Sequence, residues 1–371
     1  MRSVVLPAVS GLLAWLVFAT VAVPGSSAGR ERRIPGTLSP AAPQFFATVV
    51  SFAEGNGPLE IRDSSTGAVV GEYEPGTERV EAPVSAVAAA GVRSFVIGVP
   101  AAHGCSTQLE RVAVDVAGRP GQASPIGRPL RGRVWSLASS AGGGVVGYAV
   151  SGCAKGDPGF LGVLDVTTGR SRRWSDVSLG GVSFGNLALA DPLAMSADGR
   201  QLAFAAAVIS RPPYGAITAQ EIRILLTDAR VGTLFARSAV VLRAPARASL
   251  TAAGISPDGR TLYLCSQSST TTTDRAQLAA RSITTGTSTV LASFHVTRDG
   301  VLRTVQCSNA ALDPTGRFLL LPSQLDRSSA SGPVTVHMAA LTIATGARST
   351  FALTLPATGG MDPVAGLLAA W

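Results

Sequence analysis

Three histidines, four cysteines and three asparagines are the scarce side chains of this 371-residue sequence from which catalysis or metal binding would have to be built. A hydrolase triad needs a histidine base beside a nucleophile, and the candidates are His103, His295 and His337. His103, close to Cys105, is the one worth testing, although the ordinary reading of a lone histidine is structural. Asn186 with Asp191, and Asn309 with Asp313, offer the oxygen ligands a hard cation takes, although short polar side chains at such places more often cap turns. No C-x-x-C pair exists, so no zinc centre is expected. Gly25 to Gly29 matches G-x-S-x-G without the strand-to-helix elbow that gives that motif meaning. Gly142 to Gly147 matches G-x-G-x-x-G but enters a strand, where a phosphate-cradling loop opens a helix. No cofactor is expected.

The charge is as one-sided as the catalytic inventory is thin. The formal net charge is +8, carried by thirty arginines and the single lysine Lys155. Arg131, Arg133, Arg211, Arg298 and Arg303 fall in or beside connecting segments and could receive an anion. No block of five like charges occurs, so many arginines are expected to do no more than solvate the surface. Nucleic-acid binding would need aromatics interleaved with the charge, and at 5% aromatic residues the chain is not expected to bind it.

The elements that must position these residues show themselves as repeats. One family of turns reads SADGRQLAF (Ser196 to Phe204), SPDGRTLYL (Ser256 to Leu264) and DPTGRFLLL (Asp313 to Leu321), with weaker members at Gly91 and Gly143. Their glycines are separated by 52, 56, 60 and 57 residues, and each supplies the positive φ of a tight hairpin. A second family alternates with the first, at Gly67, Gly118, Gly169, Gly232, Gly286 and Gly346. Two hairpins per fifty to sixty residues make four strands, the content of one β-propeller blade.

Six turns of the second kind against five of the first mark where a ring closes. The C-terminal VAGLLAAW (Val364 to Trp371) reads as an innermost strand without a blade, and the N-terminal FFATVVSF as a second strand without a partner. The expected fold is therefore all-β, a six-bladed propeller with seven blades as the alternative, closed by the C-terminal strand joining the N-terminal blade. The S-P-D-G-R-x-L-x-F repeat resembles that of TolB-like, or WD40-like, propellers, over about half of the chain. That resemblance implies a six-bladed ring and a binding or scaffolding role. Only about fifteen residues separate the apolar leader from the first strand, where TolB itself carries an α/β domain, so a Tol-type partner is not expected.

Arg2 followed by the apolar run Val4 to Val23 and Ser26-Ser27-Ala28 reads as an export signal cleaved after Ala28. The alternative is an uncleaved membrane anchor. The expected organisation is a signal peptide over 1–28, a linker over 29–43 and one propeller domain over 44–371, secreted or extracytoplasmic and monomeric. Both short-turn families fall on one face of such a ring, and the longer connections, where binding residues usually sit, on the other. All four cysteines map to that long-loop face. Four cysteines permit three pairings, and neighbouring blades favour Cys105 with Cys153 and Cys265 with Cys307. The expected role is non-catalytic binding of a protein or an anionic envelope polymer through the long loops. The alternative is a hydrolase at the channel mouth, such as a cation-dependent lactonase.

Overall fold

The computed structural model describes residues 43–371 except 53–54, 76–83, 102–104, 154–158, 176–181, 184–192, 211–217, 230–237, 246–248, 271–272, 298–301, 305–309, 328–333 and 356–367. The signal segment and most of the linker lie outside the described residues.

Six antiparallel sheets follow one another along the chain. Blade two is Ala86–Gly91, Ser94–Pro100, Ser106–Ala113 and Ser124–Arg131, from the innermost strand outward. Blade three is Arg133–Ser139, Val145–Ser151, Phe160–Asp165 and Ser171–Ser175, and blade five is Ser249–Ile255, Thr261–Ser269, Thr273–Ser282 and Ser288–Thr297. In blade four the innermost strand is two short pieces, Val182–Ser183 and Ala194–Met195, both paired to Gln201–Ser210, with Thr218–Asp228 and Ala239–Pro245 outside it. Blade six repeats that device, with Leu302–Thr304 and Ala311–Leu312 on Phe318–Arg327, then Val334–Thr342 and Arg348–Leu355.

Blade one is assembled from both ends of the ring, as the turn count requires. Leu368–Ala370 pairs with Phe45–Phe52, which continues into Gly55–Asp63 and Val69–Tyr73. The register sets Ala47 opposite Ala370 and Val49 opposite Leu368. The fold is thus a six-bladed β-propeller.

One hydrogen bond recurs in every blade and measures the repeat. The carbonyl of the residue before the second strand (Gln44, Arg93, Gly144, Arg200, Arg260, Arg317) accepts the N–H of the residue after the third strand (Ser64, Val114, Val166, Ala229, Ile283, Ile343), at 2.6 to 2.9 Å. In blades two to six each bond ties the two short turns together, and in blade one it ties the entering chain to the single short turn. It answers the backbone polarity that strand ends would otherwise leave open.

The sequence motif builds the inner turn by side-chain clips. Ser196 Oγ donates to Asp198 Oδ1 at 2.7 Å and accepts the N–H of Gln201 at 2.9 Å. Ser256 repeats this with Asp258 at 2.5 Å and Thr261 at 2.9 Å. In blade three Ser140 takes the same part, accepting the N–H of Val145 at 2.9 Å. Blade two departs from the pattern: Gly91 pairs with Ser94 around Val92 and Arg93, and it is not among the glycines of positive φ. No serine clip forms there because the AVAAAGV stretch has no hydroxyl at that position.

Apolar side chains collect between blades. Among the described residues six clusters form, and each draws on two adjacent sheets: Phe45, Leu59 and Ile61 of blade one meet Phe95 and Ile97 of blade two, and Phe46 and Trp371 of blade one meet Phe318 and Leu320 of blade six. A strand inside the ring is covered on both faces, which explains unbroken runs such as FVIGV and LLLP in place of strict alternation.

Candidate functional site

Arg131 and Arg133 flank Gly132, at the passage from the outer strand of blade two to the innermost strand of blade three. Hydrogen bonds hold this passage. The N–H of Gly132 donates to the Cys105 carbonyl at 3.0 Å. Its carbonyl accepts from Thr107 Oγ1 at 2.8 Å, and that same oxygen accepts the N–H of Val134 at 3.1 Å. Gly132 has φ +110°, and a Cβ there would lie 2.3 Å from Val150 and 2.4 Å from the Ser151 carbonyl, so glycine alone fits.

A disulfide locks the same corner. Cys105 and Cys153 are bonded with their Cα atoms 5.5 Å apart, across 48 residues. The bond links the loop after the second strand of blade two to its counterpart in blade three, the pairing that neighbouring blades favour. Cys265 is also disulfide-bonded, and Cys307 lies outside the described residues.

Arg131 and Arg133 are exposed. Arg128, three residues earlier on the outer strand of blade two, is exposed as well and was not singled out in the sequence. The signal was available in RPLRGR, Arg128 to Arg133, but only strand register shows that this edge is open to solvent. None of the three arginines has an ion pair or a side-chain hydrogen bond among the described residues. Other arginines do: Arg62 holds Glu60 at 2.6 Å inside blade one, and Arg223 holds Glu221 at 2.9 Å.

His103, Asn186, Asn309, Arg211 and Arg298 lie outside the described residues. Arg303 stands in the first piece of the innermost strand of blade six, in register with Asp326. Asp313, the expected companion of Asn309, is buried and engaged in its own turn. Its Oδ1 accepts the N–H groups of Arg317 and Phe318 at 2.7 Å each, and its Oδ2 accepts the N–H of Thr315 at 3.0 Å and the Thr315 hydroxyl. The other turn carboxylates are spent in the same manner. Asp258 is held below the usual carboxylate range by the Ser256 hydroxyl and then the Arg260 N–H. Burial pushes Asp63 upward, but hydrogen bonds from Ser65 and Thr66 outweigh it and leave the group lowered. His337 Nε2 lies 3.0 Å from Asp326 Oδ2, whose other oxygen accepts from Gln324 Nε2 at 2.8 Å.

The innermost strands surround a cavity of about 140 Å³. Its described wall runs from mid-strand to the inner turns, where Ala141, Ala197, Pro257 and Pro314 lie. It therefore occupies the short-turn half of the channel, opposite the face that carries Arg131, Arg133 and the disulfide. Groups of three or more histidine, cysteine, aspartate or glutamate side chains placed to hold a metal ion do not occur among the described residues.

No protein-family model matches the chain, and no curated protein matches it. Solved structures do. The chain is similar to TolB from Acinetobacter baumannii, with a TM-score of 0.51 and 14% identity over 88% of this chain and 66% of that one. The likeness shows the propeller fold. The tricorn protease follows with a TM-score of 0.45, 11% identity and coverage of 84% of this chain and 30% of that one. A putative 6-phosphogluconolactonase from Bacteroides uniformis follows with 0.42, 13%, 85% and 98%. The chain thus spans about two thirds of the length of that TolB and under a third of the tricorn protease.

Proposed function

We propose that this chain is an exported, non-catalytic propeller that binds an anionic component of the cell envelope through its long-loop face. The observation that carries the proposal is the trio Arg128, Arg131 and Arg133, three exposed guanidiniums without ion-pair partners among the described residues, on a junction pinned by Gly132 and the Cys105–Cys153 disulfide. Rigid placement matters because a backbone already fixed at the junction leaves only side-chain freedom to be lost when the ligand arrives. Export is supported by the apolar run Val4 to Val23 and by the disulfides, which persist in oxidising compartments. Membership of the TolB-like repeat family is supported by the Ser196 and Ser256 turns. We further propose that Arg211, Arg298 and Arg303 extend the same basic face, and that the protein works as a monomer.

The test is titration calorimetry of the purified chain with a polyphosphate of defined length, repeated across salt concentrations. Binding should weaken steeply as salt rises, and Arg131→Ala with Arg133→Ala should lower affinity at least about tenfold, the loss of two charge contacts. Unchanged affinity in that double variant would remove the basic junction from the proposal. A cation-dependent lactonase activity lost in Asn309→Ala would replace binding with hydrolysis.

A further inference from the structure

Tyr148 of blade three keeps a hydroxyl that the fold leaves unspent. The residue is 0% exposed, and its Oη has no hydrogen-bond partner among the described residues. A buried polar group costs free energy unless it is paired, so an orphan of this kind calls for a reason. The strand register shows where the side chain runs. Tyr148 stands opposite Gly162 of the third strand, and Gly162 opposite Arg173 of the outer strand. A Cβ on Gly162 would collide with the phenol, so glycine is what lets the ring lie across the third strand. The hydroxyl thereby comes beside Arg173 and Ser171, both exposed. Burial raises the Tyr148 pKa, and Arg173 and then Ser171 only partly oppose that rise, so the phenol keeps its proton at neutral pH and is a donor.

Arg173 is likewise uncommitted. Its guanidinium lies over the Phe160 ring, 5.0 Å from the centroid, and it has no ion pair and no hydrogen bond among the described residues. Phe160 in turn meets Tyr148 edge-on, the ring centroids 6.1 Å apart. Blade two forms the other wall of this groove. There Gly127, Arg128 and Pro129 stand opposite Gln108 alone, and the bulge brings Gly127 against Leu164 of blade three.

We infer that the groove between blades two and three holds a subsite for a phosphate group, bound by the Tyr148 and Ser171 hydroxyls and the Arg173 guanidinium. All three can donate and the one formal charge among them is positive, so the fitting ligand is an anion rich in acceptor oxygens. A phosphate offers such oxygens in a tetrahedron, whereas a carboxylate offers them only in a plane. A neutral sugar would leave the guanidinium without a counter-charge. Solvent reaches Arg173, which draws the anion in and turns with it toward the hydroxyl beneath. The site does not depend on the basic junction, because Tyr148 and Arg173 stand within the strands of blade three.

The experiment titrates the full chain with inorganic phosphate at constant ionic strength and follows the melting temperature and, by calorimetry, the affinity. Saturable binding with a higher Tm is expected, as mass action requires of a ligand for the folded state. Tyr148→Phe removes an oxygen that the free chain leaves unpaired, so the variant should melt at or above the wild-type temperature while phosphate affinity falls at least about tenfold. A merely structural hydroxyl would do the reverse. Arg173→Gln should abolish the phosphate response, and Arg173→Lys, which keeps the charge without the fork, should retain part of it. Acetate should bind severalfold more weakly than phosphate. Arg131→Ala with Arg133→Ala should leave phosphate affinity unchanged. Glycerol phosphate that binds as well as inorganic phosphate would assign the site to an esterified phosphate, and glycerol phosphate that fails to bind would assign it to the free ion; both results support the site. No saturable response in the wild type, a lower Tm in Tyr148→Phe, or undiminished phosphate binding in Tyr148→Phe or Arg173→Gln would overturn the inference.

Discussion

The indole N–H of Trp371 donates to the hydroxyl of Ser64 at 3.2 Å, across 307 residues of sequence. Ser64 is itself held by its N–H to the Gln44 carbonyl, in the bond that recurs through all six blades. Trp371 is 1% exposed and packs against Phe318 of blade six, the ring centroids 5.8 Å apart and the planes tilted by 53°. The last turn of the ring is thus sealed by an aromatic side chain between its two terminal blades.

Trp371→Ala should therefore destabilise the protein by about 3–5 kcal/mol, the range for a large aromatic lost from a core. Ser64→Ala should cost about 1–3 kcal/mol, because the buried indole N–H is left without an acceptor. Deleting 364–371 removes the innermost strand of blade one and should lower the melting temperature of the whole molecule. Urea unfolding measures all three. A truncated chain with an unchanged midpoint would show that the ring does not depend on this closure.

Gly316 and Gly346 separate two reasons for glycine at a turn. Both have positive φ, +72° and +67°. A Cβ on Gly316 would sit 2.2 Å from Pro257 of the preceding blade, whereas one on Gly346 would meet nothing within 4 Å. Gly346→Ala should cost about 1–2 kcal/mol from backbone conformation alone. Gly316→Ala should cost that amount and more, since the two inner turns must also part. Equal melting temperatures for the two variants would mean that Pro257 yields freely.

Tyr73 of blade one donates its hydroxyl to Glu110 Oε2 of blade two at 3.1 Å. Burial first, then the Glu110 charge and hydrogen bond, raise its pKa from 10.0 to about 12. The folded state therefore holds this proton more tightly than the unfolded chain does. Its contribution is fully present below pH 10.0 and is lost as pH rises toward about 12. Tyr73→Phe should flatten that part of the stability profile, measured by denaturant unfolding from pH 9 upward. An identical alkaline slope in the variant would argue that Tyr73 does not titrate with folding.

The Cys105–Cys153 bond closes a loop of 48 residues, which by chain entropy stabilises the fold by roughly 4 kcal/mol. Cys105→Ala with Cys153→Ala should show a loss of that order in urea. It should also weaken polyphosphate binding, because the basic junction rests on this bond. Unchanged polyphosphate affinity would mean that the junction holds its arginines in place without this bond.

Local chemistry is what the sequence by itself determined. A serine that clips a backbone N–H five residues ahead, or an aspartate before T-G, acts within one turn, so Ser196, Ser256, Asp63 and Asp165 are legible without a structure. Counting those turns yields the number of blades and the need to close the ring, and blade neighbours suggest the pairing of Cys105 with Cys153. The tertiary structure decided what depends on residues brought together from different blades. The channel wall reads in sequence as ordinary alanines within apolar strands; it becomes a cavity only when six such strands converge on one axis. Arg128 reads as one arginine among thirty, and strand order alone puts it on an open edge beside the locked junction. Gly91 looks like its fellows until the register shows a turn that needs no positive φ. Turns are fixed by interactions a few residues long, whereas surfaces and voids arise from packing between segments tens to hundreds of residues apart.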